Sequence, residues 1–440
     1  MPGTLNIKFP SLGVARRLAN RSEGYQGGFP TPWSINCRLE DFLTSRLRGG
    51  SFVGQGTDDF VTDYTWNGFT ATSHPFEDGL RVQLTTTNTL PAGLSLATDY
   101  YVINATSNTF QVSEVKDGTA VTLTYDGTGT HTANPVLDKP DPVYRDRAIT
   151  FSDNAITAAR QGDSTDTDLS ADVSDVARPI LFQLYLADVQ GGNVVAVVPH
   201  KDAYLVCFTA TETWILHGDP ATGSLRRVSD EVGILGASAY CVLHDTIYFM
   251  SKRGLYQMQA DGSGLKAVSA DRLPEDLEDI TDSSCILTYT HRDGGVNIHL
   301  TSSPSWFYDT ERQAFWPFDT SETDSHVLFG PIKLGELDRQ GLIQTLHGIV
   351  AQGSATVNWR IVPGTTAEEA AANGKLAITA DLAGNSYSSY VQGSGSWTAG
   401  RSYTERPRTT AVWACIWLSS AGTWAFEGMT ANVIPAGVWR

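Results

Sequence analysis

The chain has 440 residues, 41% of them hydrophobic and 18% charged, with 41 Gly, 19 Pro, 11 Trp and 5 Cys. That length buries a substantial core and, at roughly 150 residues per domain, predicts about two to three domains, which excludes intrinsic disorder as the main description. With 48 acidic against 31 basic residues the formal net charge is −17, so no broad cationic surface exists to neutralise a phosphate backbone.

Apolar runs such as 180–186 and 411–418 are far shorter than the roughly 20 residues a membrane helix needs. The opening Met1-Pro-Gly-Thr-Leu lacks a basic segment followed by an apolar run, so the expectation is a soluble protein made in a cytoplasm, with no secretory signal. Cys37, Cys207, Cys241, Cys285 and Cys415 are odd in number and widely separated, with no Cys-x-x-Cys pair. They read as buried free thiols rather than a zinc site or redox couple.

Thr, Val, Tyr, Trp and Gly are abundant, and short alternating runs are broken by Gly, Asp, Asn and Ser, which predicts an all-β fold. Residues 1–61 read as an N-terminal arm with the first strands of a β-propeller. They hold the one cationic concentration of the acidic chain, Arg16, Arg17 and Arg21, then Arg38, Arg46 and Arg48. Such a group suits docking on an acidic partner subunit or facing DNA in a channel; salt bridges to the chain's own carboxylates are the plain alternative.

Residues 62–135 read as a small β-domain inserted in a loop, where insertion is best tolerated. Tight-turn signals fall at Glu77-Asp-Gly, Leu90-Pro-Ala-Gly, 104–108 and Asp126-Gly, between strands alternating apolar and polar residues. A Pro/Asp-rich link, LDKPDPVYRD, follows. Residues 136–374 carry an internal repeat: strand, turn with His then Asp, strand, turn, aromatic-centred strand, Gly/Asp turn, strand. It recurs at 197–229, 241–269 and 287–318, with Trp214, Tyr256 and Phe307 in equivalent places, 42 and 51 residues apart. That spacing predicts four-stranded propeller blades packed face to face. Residues 146–161 and 344–362 are candidates for further blades, giving about five.

A helix is predicted over 367–373, with Gly374 as its C-cap. Residues 375–440 read as a C-terminal β-sandwich-like unit or a strand pair closing the ring. Val412, Ala414, Ile416 and Leu418 alternate with Trp413, Cys415 and Trp417, so both faces of that strand are apolar and both are covered. Trp397, Trp413, Trp417 and Trp424 accordingly read as core rather than sugar platforms.

No chemistry-bearing constellation stands out. The pairs His200–Asp202, His244–Asp245 and His291–Asp293 recur at the same turn of successive repeats, which marks structural turns, since one active site does not need three copies. The run GDSTDTDLSADVSD groups Asp163, Asp166, Asp168, Asp172 and Asp175, but it lacks the Gly of an EF-hand. A solvated linker is the reading, with calcium at Asp163, Asp166 and Asp168 the minor alternative. Nucleophile-elbow, zincin and P-loop motifs are missing, and no cofactor is expected.

The opening FPSLGVARRLANRSEGYQGGFPTPWSINCRLEDFLTSRLRGGSF resembles the start of structural proteins of tailed bacteriophages. The stretch LPAGLSLATDYYVINATSNTFQVS with DGTGTHT is similar to a small β-module of phage virion proteins. The segments AARQGDSTDTDLSADVSDVARPILFQL, PHKDAYL and TETWILHGDPATG resemble the propeller part of the same group. The resemblance implies a non-enzymatic virion component, synthesised in a host cytoplasm: a multi-copy, homo-oligomeric ring protein of the tail (nozzle, tube or connector) that contacts other tail proteins and supports DNA retention and passage. The competing class is an adhesin or capsid-decoration protein that binds host glycan through exposed aromatics.

Overall fold

The structure, a computed structural model, describes residues 3–7, 34–35, 37–41, 46–49, 58–71, 74, 76, 78–106, 108–115, 118–136, 139, 141–184, 192–243, 245–259, 261–269, 277, 279–290, 294–301, 305–318, 324–335, 339–401 and 406–438. For those before 59, and for 290, 318, 401, 437 and 438, the description covers the backbone alone. The chain forms two compact units, one of Ser51–Asp138 with Thr320–Glu322, the other of Met1–Gly50, Lys139–Asp319 and Thr323–Arg440.

The smaller unit is a closed six-stranded barrel, in the order His131–Pro135, Asp58–Asp63, Gly68–Thr70, Thr109–Ser113, Asp99–Ile103, Arg81–Thr86 and back to the first. Its strands alternate as the sequence does, so Phe60, Phe69, Val82, Leu84, Tyr100, Val102, Phe110 and Val112 fill one interior. Each predicted turn holds a residue at positive φ, at Gly79, Gly93, Asn104 and Gly127. The boundary at 62 is corrected: Asp58–Asp63 is a barrel strand, paired with both His131–Pro135 and Gly68–Thr70, and without it the barrel stays open.

In the larger unit four consecutive four-stranded antiparallel sheets follow one another along the chain, each with its strands in sequence order. Sheet 1 is Val143–Tyr144, Arg147–Ser152, Ala155–Ala158 and Ile180–Gln183; sheet 2 is Val194–His200, Tyr204–Thr209, Thr213–His217 and Ser224–Ser229. Sheet 3 is Tyr240–Leu243, Thr246–Ser251, Gly254–Met258 and Leu265–Ala267; sheet 4 is Ile286–Thr290, Gly295–His299, Ser305–Asp309 and Ala314–Phe318. Trp214, Tyr256 and Phe307 all lie on third strands, as the repeat predicts.

Sheets 2 to 4 pack in series because their inner strands are apolar on both faces, and sheet 1 adds one apolar face to the first core. In Tyr204–Thr209, Leu205 and Cys207 enter a core shared with Ile149, Ile156 and Ala158 of sheet 1, while Tyr204, Val206 and Phe208 enter a core shared with sheets 3 and 4. In sheet 4, Trp306 and Tyr308 join that second core, and Phe307 between them joins a third. Successive side chains on a strand point to opposite faces, so such a strand needs a neighbour on each side.

The third core lies between two larger sheets. A five-stranded sheet runs Ser34–Ile35, Ser325–Lys333, Trp413–Ser420, Val357–Gly364, Gly393–Trp397. A seven-stranded sheet is built on the long pair Arg339–Val350 and Trp424–Val438, which Gly3–Ile7, Arg46–Gly49, Gly400–Arg401 and Thr409–Ala411 flank and Cys37–Asp41 extends. Phe329, Trp359, Trp397, Ile416 and Leu418 of the first meet Ile343, Leu346, Trp424, Phe426 and Met429 of the second, a β-sandwich. Its other face, with Cys415 and Trp417, is covered by the helix Ala367–Leu382. There the Arg360 guanidinium donates to Ser419 Oγ and the Tyr387 hydroxyl, and lies 4.0 Å above the Trp417 ring.

Four expectations change here. The sandwich is not confined to 375–440: two of its central strand pairs join that region to Ser325–Lys333 and Arg339–Val350. The run 344–362 is no blade, because its two strands belong to different sheets. The described strands before 50 join the sandwich sheets and not the four-stranded ones. The helix continues past Gly374, which sits against Leu328 so closely that a Cβ there would lie 2.5 Å from Leu328 Cδ2. That glycine lets the helix approach the sheet; the helix starts at Thr366, whose side chain accepts from the Glu369 N–H.

A strand with two cores has no solvent face on which substitutions are tolerated. Ile416→Ala is expected to cost about 2–5 kcal/mol and the adjacent Trp417→Ala about 3–5 kcal/mol in urea unfolding. A cost within about 0.5 kcal/mol at either position, typical of a surface site, contradicts the two-core packing.

Candidate functional site

The His/Asp turns stand at corresponding first turns of neighbouring sheets and are bonded to one another. In sheet 2, Lys201 takes a left-handed conformation (φ 49), as do Arg145 and Asp146 in sheet 1 and Asp245 in sheet 3. Asp202 accepts from the Arg145 backbone N–H at 3.1 Å through its carboxylate, and from Arg145 Nε at 3.0 Å through its carbonyl. On the other side the buried His200 ring stacks on Tyr204 at 4.4 Å, with Nε2 2.5 Å from the Asp245 carbonyl oxygen. Lys201 Nζ lies 2.6 Å from Asp245 Oδ1. That exposed ion pair contributes about 0–1 kcal/mol, so the buried His200 contact and the Asp202 bonds carry the coupling. These groups tie sheets together and form no catalytic dyad. His244, His291 and Asp293 lie outside the described residues.

The acidic run is an ordered loop between the third and fourth strands of sheet 1. Arg147, fully buried, donates through Nη1 to the carbonyls of Ala159, Ala177 and Arg178 and through Nη2 to that of Val176, at 2.7–3.1 Å. Arg160 bridges Asp166 and Asp175, each at 2.7 Å. The remaining carboxylates close local turns, Asp163 on Thr165, Asp168 on Ser170 and Asp172 on Ser174. Asp163, Asp166 and Asp168, the calcium candidates, are thus each engaged within the loop. Among the described residues no three His, Cys, Asp or Glu come together as a metal site.

Arg16, Arg17 and Arg21 lie outside the described residues. Arg38, Arg46 and Arg48 fall on the hairpin at one edge of the seven-stranded sheet, where the register sets Arg38 opposite Arg48 and Arg46 opposite Asp41. Trp397, Trp417 and Trp424 are core residues, as predicted, and Trp413 is half-buried against the helix-side core, while among the described residues the exposed aromatics are Tyr64, Trp66 and Tyr125 of the barrel and Phe151 of sheet 1. Cys207, Cys241, Cys285 and Cys415 are buried free thiols. Burial pushes Cys241 and Cys285 up to about 12 and raises the other two as well. No described helix is long and apolar enough to cross a membrane.

Arg147 and Trp66 escape sequence reasoning. Backbone carbonyls as partners leave no motif, whereas a Trp placed in a turn, Asp63-Tyr-Thr-Trp-Asn-Gly, is a signal that the strand alternation does not account for.

No family model matches the chain, and no curated protein does. A solved structure titled AfRom2 CNH domain is similar at 11% identity, over 60% of this chain and 82% of that one, with a TM-score of 0.23. A likeness at that score carries no argument about fold or function.

Two outcomes follow for the acidic loop. Arg147→Lys keeps the charge but loses the fork, and is expected to cost at least about 3 kcal/mol, because each buried carbonyl left unpaired costs about 1–3 kcal/mol. Bonds from Thr165, Ser170, Ser174 and Ala177 hold Asp163, Asp168, Asp172 and Asp175 below the ordinary 3.8. A carboxyl lowered by folding stabilises the loop above its unfolded pKa, and that contribution is lost as pH falls through the lowered, folded value. Pepsin should therefore nick 163–176 increasingly as pH falls below 3.8, and the loop should resist proteases at neutral pH.

Proposed function

We propose that the chain is a non-enzymatic structural subunit of a tailed-bacteriophage virion, a β-propeller protein whose copies form a ring in the tail that retains and passes DNA. In this reading sheets 1 to 4 are successive blades, and the sandwich shares a core with the far face of sheet 4. The serial sharing of cores is the observation that supports it: sheet 1 shares a core with sheet 2, sheet 2 a second with sheets 3 and 4, and sheet 4 a third with the sandwich, while bonded turns join sheet 1 to sheet 2 and sheet 2 to sheet 3. Such a body keeps its shape under load and leaves loops and arms to reach neighbouring subunits.

The phage-like residue stretches of the N-terminal segment, the barrel and the repeat supply the virion assignment. A net charge of −17 suits a wall beside DNA, because a polyanion is repelled by it and slides without binding. The arginine group Arg16, Arg17, Arg21, Arg38, Arg46 and Arg48 is the natural contact for an acidic neighbour in the tail.

Native mass spectrometry of the purified full chain is expected to give a discrete closed multimer, and purified virions should contain the protein in many copies. A protein that stays monomeric at tens of micromolar and is missing from virions contradicts the ring.

A further inference from the structure

On the outer wall of the barrel one aromatic side chain is exposed and yet fixed. Asp63 and Gly68 are register partners on adjacent strands, and Trp66 belongs to the turn between them. The indole folds back over Gly68: a Cβ built on that glycine would fall 2.0 Å from Trp66 Cζ3, so only glycine admits the ring. In the same turn the Asp63 carboxylate accepts from the Thr65 hydroxyl and N–H. Gln111 Nε2 donates to the carbonyls of Trp66 and Asn67, the Asn67 side chain accepts from the Leu123 N–H, and Asp126 accepts from the Tyr64 N–H at 2.8 Å. The turn is thus pinned at four residues, while Trp66 stays 38%, Tyr64 47% and Val61 72% exposed.

The indole packs against Gly68 and is still 38% exposed. Its ordering is already complete before anything binds, which is what a preorganised contact requires. The neighbouring side chains are polar: the Asp63 carboxylate, the Gln111 amide, whose N–H groups go to the Trp66 and Asn67 carbonyls, and the Asn104 amide, which donates to Gln111 Oε1 at 2.6 Å. A flat electron-rich face edged by carboxylate and amide groups complements a pyranose ring, which presents an apolar C–H face and equatorial hydroxyls. Asp63 and Asp126 at the site, on a chain of net charge −17, select against anionic sugars.

We propose that Trp66, with Tyr64, Asp63 and Gln111 around it, is a binding platform for a neutral hexopyranose oligosaccharide. The proposal is independent of the ring reading, since it concerns the barrel alone.

The test is a saturation-transfer-difference NMR titration of the full chain with maltotetraose, cellotetraose and chitotetraose, with sialyllactose as the anionic comparison. At least one neutral tetrasaccharide is expected to bind with a Kd on the order of 1 mM, the range of a single shallow contact. Trp66→Ala should weaken it at least about tenfold with an unchanged melting curve, and Trp66→Phe, which keeps an aromatic face, should lose less. No neutral sugar bound at about tenfold above that concentration, tighter binding of sialyllactose, or undiminished binding by a folded Trp66→Ala chain overturns the proposal. So does a Trp66→Ala chain that binds sugar normally but loses its oligomeric state, which makes the face a contact between copies.

Discussion

A β-strand whose side chains are apolar on both faces cannot end a protein; it must lie between two cores, and the larger unit is organised around that requirement. Tyr204–Thr209 divides its five buried apolar residues between the core with sheet 1 and the core with sheets 3 and 4, and Trp413–Ser420 divides its own between the sandwich and the helix. Once one such strand is placed, its neighbours on both sides are required, and each of those carries the requirement onward. Fully burying a large aliphatic or aromatic side chain contributes about 1.5–3 kcal/mol, so the sum over these strands far exceeds anything a surface ion pair adds.

Polar groups then settle which turns meet. His200, Asp202 and Asp245 occupy positions that look catalytic when read singly, and their neighbours show that they hold adjacent sheets at one end. Arg147 does the same for the long acidic loop by donating to four backbone carbonyls, which makes an otherwise structureless stretch part of the rigid body. These polar groups are directed inward, and the proposed structural role rests on that stiffness.

Much of this was legible in the sequence because it is local. The third-strand aromatics Trp214, Tyr256 and Phe307 marked the repeat, the turn signals of the barrel fell on residues at positive φ, and the alternation through 412–418 foretold a strand covered on both sides. Pairing between distant strands was not legible. Nothing in Arg339–Val350 specifies that Trp424–Val438 lies beside it, since a sheet ladder is made by backbone groups that every residue carries. The same reason hid the sandwich boundary, and the run 344–362 reads as part of a further blade because a turn joins its strands even though they enter different sheets. Trp66 was hidden differently: its role depends on Gly68 across the turn, a contact rather than a composition.

The central claim is that serial two-faced packing welds the larger unit into one rigid body. Hydrogen exchange followed by mass spectrometry on the full chain tests it most directly, because exchange separates amides that open locally from those that open only when the whole unit unfolds. The account predicts that Tyr204–Thr209, Thr246–Ser251 and Trp413–Ser420 share one slow exchange rate that responds together to denaturant, with the outer strands Ser224–Ser229 and Ile180–Gln183 faster. Separate rates and separate denaturant responses for sheets 2 and 3 and the sandwich would mean that the sheets are independent, and the account would fail.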